Sequence, residues 1–145
     1  MLHLVNQPDE VERIYRDLRR LHPGFPEYGS TLVLWRLLYL AGLPCPFEPI
    51  PERMAGQLLQ MGFRPMPREL KPRAGDFFLA GDDEGIVTQV GLVAKVPVPF
   101  AGATPDWFMA ADHLMGDRLR PYRRRTVGDP SQPDTRAWLR CGTCG

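Results

Sequence analysis

This sequence is short of most features that would assign it quickly, and each scarcity excludes something. Only three cysteines occur, Cys45, Cys141 and Cys144, and an odd count argues against the paired framework of a small secreted domain. Formal net charge is only +1, so no broad surface of one sign draws in nucleic acid or a membrane. The longest apolar run, Leu32 to Leu43, is interrupted by Arg36 and is too short to span a bilayer. Met1 to Glu10 lacks a basic stretch followed by an apolar core, so it does not read as an export signal. A cytoplasmic location is the expectation, with no membrane and no nucleic acid as partner. Neither a glycine-rich phosphate loop nor a dinucleotide fingerprint is present, and no cofactor or metal is expected.

What is present fits one domain. The 145 residues suffice to bury a core without disulfides. The 16 prolines fall at joints between elements and form no low-complexity linker. Residues 8–22 read as an amphipathic helix, with Val11, Ile14, Tyr15, Leu18 and Leu21 or His22 on one face and arginines on the other. Ser30 is a plausible N-cap for a second helix reaching Tyr39 or Leu40. Its apolar residues run nearly all round, which predicts a buried position in the domain centre. Gly42 and Pro44 end it. A third helix over 51–61 begins with Pro51 and is expected to turn Met54, Leu58, Leu59 and Met61 inward. The period then changes. Strands are expected over 76–80, 86–96, 107–111 and 119–122, with a polar turn from Gly81 to Gly85. Helices followed by an antiparallel meander predict an α+β domain over residues 1–140, with 141–145 as a tail carrying a C-x-x-C pair.

Several of these segments resemble those of one family. Gly24-Phe25 through Tyr28-Gly-Ser-Thr-Leu-Val33, and on to Ala41-Gly-Leu-Pro44, is similar to the nucleophile region of the NlpC/P60 hydrolases. Leu70-Lys-Pro-Arg-Ala-Gly-Asp-Phe-Phe78 resembles their L-x-P-G-D strand start. Val87-Thr-Gln-Val-Gly-Leu-Val93 resembles their H-V-G-I strand, and Trp107-Phe-Met-Ala-Ala111 the strand after it. Arg136-Ala-Trp-Leu-Arg140 resembles a closing element with a basic residue. The resemblance covers about residues 24–140 and implies a papain-like fold, with helices packed on a small antiparallel sheet. In that family a cysteine at the start of the central helix attacks, a strand histidine is its base, and a third polar residue orients the base. Here those three positions hold Gly29, Gln89 and Ala110. Glycine offers no nucleophile, and glutamine has no group that titrates near neutrality.

The resemblance therefore implies a non-catalytic domain that keeps the groove and binds a small ligand, peptide or protein there. Tyr28, Ser30, Gln89, Trp107 and His113 are the expected lining. The alternative is an amidase or peptidase acting on cell-wall-like peptides with displaced catalytic groups. For that role Ser30 and Thr31 supply hydroxyls, though helix capping explains them as well. Asp112 and His113 form a displaced dyad or a solvated strand end, and Cys45 is a thiol or a small packed residue. A third reading is a homodimer formed through helix 8–22. Two other features stand outside the groove. Cys141-Gly-Thr-Cys144 has the spacing of half a zinc site or of a redox pair, or is simply a tail with two thiols. Arg118, Arg120 and Arg123 to Arg125 form either an anion-binding patch or a charged edge strand.

Overall fold

The computed structural model of the chain describes residues 7–22, 29–43, 45–96, 107–111, 123–127 and 134–142. Among the described residues three helices precede a six-stranded antiparallel sheet, an α+β arrangement. Helix α1, Pro8–Leu21, starts on proline with Asp9 and Glu10 in its first turn and ends with Arg19 and Arg20 in its last. Both charge placements complement the helix dipole. Ile14, Tyr15 and Leu18 form its buried stripe, whereas Leu21, expected on that face, is exposed at the helix end. Helix α2, Gly29–Leu40, begins two residues earlier than a Ser30 cap would allow, so Ser30 lies within the first turn and is not the N-cap. Its centre is fully enclosed, with Leu34 1%, Leu37 0% and Leu38 0% exposed. The Arg36 guanidinium reaches Asp17 at 3.0 Å and ties α2 to α1. Gly42 stops the helix in the left-handed region at φ 78°, and the Leu43 N–H returns to the Leu38 carbonyl at 2.9 Å.

Helix α3, Pro51–Gln60, buries Met54, Ala55 and Leu58. Leu59 and Met61, expected inward, are exposed. Leu59 is rotated about 100° from Leu58 around the axis, and the helix ends at Gln60, before Met61 can complete the stripe.

The sheet consists of β1 (Phe63–Pro67), β2 (Phe77–Gly81), β3 (Val87–Lys95), β4 (Trp107–Ala111), β5 (Arg123–Thr126) and β6 (Asp134–Cys141), in spatial order β1-β6-β2-β3-β4-β5. The expected meander holds from β2 to β4 and continues into β5. It fails at β6, which returns across the sheet and lies between β1 and β2. Strand β1 was not expected, because Pro65 and Pro67 argue against a strand; both are tolerated because β1 is at the sheet edge. The strand expected at 119–122 lies outside the described residues, and the observed one begins at Arg123.

The sheet has two faces with different cover. On the first, Val90, Leu92, Ala94, Phe77 and Leu139 join the buried residues of all three helices in the main core. On the second, Phe78, Ala80, Val93 and Trp138 form a smaller buried cluster, with Met66, Val96 and Val127 packed against it.

Candidate functional site

A nucleophile and its base must face each other, so the sheet face on which each position lies decides whether the expected groove exists. Helix α2, which carries Gly29 and Ser30 in its first turn, packs on the first face. Gln89 is paired with Ala80, and Ala80 belongs to the second-face cluster. Directly bonded partners in an antiparallel ladder share a face. The alternation agrees: Val90, Leu92 and Ala94 point to the helices, whereas Val93 points away. The irregularity between Ala80 and Gly81 lets Val87 rejoin the first face without changing the side of Gln89. Gln89 is thus a buried amide, 4% exposed, with the sheet between it and α2. The groove expected between the helix start and Gln89 is not formed.

Ala110 is the ladder partner of Val93. It is not level with Gln89. Four residues separate Gln89 from Val93, about 13 Å along the strand, so Ala110 is out of reach as an orienting position. Trp107 pairs with Thr126 at the far end of β4. Tyr28 and His113, the remaining expected lining, lie outside the described residues, as does Asp112.

The other expected candidates have structural partners. The Thr31 hydroxyl donates to the Pro49 carbonyl at 2.8 Å, which anchors the segment before α3 and leaves it no role as a helix cap. Cys45 is a free thiol whose pKa burial pushes up, the opposite of what activates a nucleophile. Its carbonyl accepts the Trp35 indole N–H at 3.2 Å. Cys141 is disulfide-bonded. Arg123, Arg124 and Arg125 occupy β5, at one end of the sheet order, where charge discourages pairing with another edge. Among the described residues no group of three His, Cys, Asp or Glu side chains could hold a metal ion. Among them, too, no helix is long and apolar enough to cross a membrane.

Two features were missed from sequence. The first is an aromatic cluster joining α1, α2 and the segment after α2. His22 stacks on Phe47 at 4.7 Å between ring centroids, and Trp35 meets Phe47 edge-on at 5.2 Å. Tyr39 lies 6.4 Å from Trp35, under the Arg36 guanidinium. Tyr39 is 54% and Phe47 46% exposed, so the cluster presents rings to solvent while Trp35 secures it from beneath. The signal was available in the i, i+4 spacing of Trp35 and Tyr39, but Phe47 joins them only through the fold. The second is a row across β6, β2 and β3 in which two buried polar residues, Thr135 and Gln89, flank Ala80. Thr135, Ala80 and Gln89 are in register, and Thr135 is 1% exposed with its hydroxyl unpartnered. No single-strand pattern reveals such a row, because its members come from three strands.

The chain was compared with known proteins at three levels, and no family model, no curated protein and no solved structure matches it.

Proposed function

We propose that this chain is a non-catalytic α+β domain of NlpC/P60-like organisation that acts by binding a small ligand, peptide or protein. One observation carries the non-catalytic part: the position expected for a base, Gln89, is on the sheet face turned away from the helix start that would carry a nucleophile. The raised Cys45 thiol supports it, since burial has made that sulfur less reactive. The half-exposed Tyr39 and Phe47 rings support the binding part, because contiguous exposed aromatic surface is characteristic of contact sites. The expected groove no longer serves as the binding surface.

The test is direct. Purified chain incubated with γ-D-glutamyl-containing peptides should release no cleavage product at any pH between about 5 and 9. Turnover that disappears in Ser30→Ala or His113→Ala would overturn the proposal and establish a hydrolase with displaced catalytic groups.

A further inference from the structure

The aromatic cluster continues into a charged strip, and the contacts between the two are unbroken. Phe47 lies 5.2 Å from Trp35, and Trp35 lies 6.4 Å from Tyr39, between ring centroids. The Arg36 guanidinium sits 5.0 Å from the centre of the Tyr39 ring. Its Nη2 donates to Asp17 Oδ2 at 3.0 Å, and Asp17 Oδ1 lies 3.9 Å from Arg20 Nη2. One carboxylate thus serves two guanidiniums, so the three groups together stay positive. Arg36 holds the closer place. Arg20, its side chain 75% exposed, keeps only the longer contact, and a pair of that kind contributes little. Arg16, one turn earlier on the same side of α1, is exposed and has no ion-pair partner among the described residues. At the other end of the cluster, Glu48 turns its Oε1 to the Ile50 backbone N–H at 3.2 Å. The half-exposed Tyr39 and Phe47 rings are therefore an apolar patch with open cations along its α1 side. Tyrosine, tryptophan and arginine are also the residues on which binding energy concentrates at protein interfaces.

We infer that this patch docks a short acidic segment of a partner protein. Apolar side chains of the segment cover Tyr39 and Phe47, and its carboxylates take up the charge of Arg20 and Arg16. The inference rests on the non-catalytic binding role proposed above and names the chemistry of the partner. Charge complementarity selects the occupant. A second copy of the chain is disfavoured, because an isologous contact brings the patch onto itself and sets these arginines against their own copies. A nucleic acid or an anionic bilayer is held by a longer run of cations, about four to eight for a lipid surface. Here a carboxylate, Asp17, sits among three arginines. One acidic segment with apolar side chains meets both halves of the patch at once.

The experiment pans the full chain against a library of random twelve-residue peptides displayed on phage, at about 50 mM salt. Enriched peptides are then synthesised with a fluorophore, and their binding is read by anisotropy. The expected sequences combine aspartate or glutamate with large apolar residues. Tyr39→Ser and Phe47→Ser should each weaken binding about tenfold or more, with the thermal melt of the chain little changed because both rings are half-exposed. Arg20→Glu should weaken it about three- to tenfold, and a peptide with lysine in place of its acidic residues should bind that variant better than it binds wild type. Raising salt to about 300 mM should weaken binding to wild type more than to Arg20→Glu. Four results would overturn the inference: no enrichment, equal binding by wild type and the Tyr39→Ser Phe47→Ser double variant, a sedimenting dimer that this variant abolishes, or tighter binding of a thymidine oligonucleotide or phosphatidylserine vesicles through the same residues. Enriched peptides that need Tyr39 but carry lysine or proline and no acid would overturn the acidic partner and leave the non-catalytic binding role standing. Cleavage of a bound peptide would remove that role itself.

Discussion

Asp76 and Arg140 join the start of β2 to the end of β6 through two parallel hydrogen bonds, Nε to Oδ1 at 3.0 Å and Nη2 to Oδ2 at 2.9 Å. Asp76 is nearly inaccessible, and its Oδ2 also accepts the Arg73 backbone N–H at 2.8 Å. Arg140 donates onward to the Lys71 carbonyl at 3.3 Å. The pair thus clamps the 71–76 turn onto the sheet. Removing the arginine leaves a buried carboxylate without its counter-charge. Arg140→Met should cost about 3 kcal/mol in urea denaturation, and Asp76→Asn combined with Arg140→Met should recover part of that loss. The hydrogen bond that Arg140 donates to Asp76 raises the arginine above its ordinary range against the opposing effect of burial. A raised cation contributes stability that is complete below its unfolded value and is lost only as pH climbs through the folded one. The arginine's contribution should therefore stay flat up to about pH 10.

Leu37 is wholly enclosed at the centre of α2. Leu37→Ala should lower stability by about 2–5 kcal/mol, with the spread set by how far the core can close around the cavity. A loss below about 1 kcal/mol would place α2 outside the core.

Gly81 ends β2 where the hairpin to β3 is tightest. A Cβ there would strike the Ile86 backbone carbonyl, which has no flexible side chain to move aside. Gly81→Ala should cost about 1–3 kcal/mol through strain. Gly56, with open space around its Cα, is the control: Gly56→Ala in α3 should be neutral or stabilising.

The two-face geometry makes a sharp statement about engineered chemistry. A cysteine introduced by Gly29→Cys should titrate identically with and without Gln89→His, read as iodoacetamide labelling rate against pH. A histidine at position 89 that lowered the midpoint would mean that the two positions face each other after all.

Burial raises the Cys45 pKa, so its thiol form is favoured in the folded chain. The sign follows from linkage: this stabilisation is present below the ordinary thiol value of about 8.5 and fades as pH rises through the folded value. Labelling of Cys45 should reach its midpoint at higher pH in native protein than in urea.

The helical half of the fold was largely legible in the sequence, because each helix carries its own signals. Pro8 and Pro51 mark two starts, Gly42 marks a stop, and the burial of Leu34, Leu37 and Leu38 follows from an apolar surface with no polar side. The sheet was legible only where neighbours in sequence are neighbours in space, from β2 to β4. The place of β6 depends on Asp76 finding Arg140 across 64 residues, which no local period encodes. The site reading went astray for a related reason. Matching Val90-Gly91-Leu92 to a motif fixes a position along β3, but in a strand the side is a separate variable that changes with every residue. Only pairing with Ala80 shows that Gln89 faces away from α2.

The insertion of β6 between β1 and β2 also governs the order in which the chain can fold. Strands β1 and β2 do not pair with each other; β1 gains its ladder partner, and β2 its second after β3, only when residues 134–141 arrive. During synthesis from the N-terminus, β1 must wait for some seventy further residues before it has a partner. Helices α1 to α3 can form early, but closure of the sheet is a late and long-range event, the kind that makes folding slow. Until then the inner edge of β2 remains a template for another strand, which makes a co-translational chaperone contact most useful over that interval.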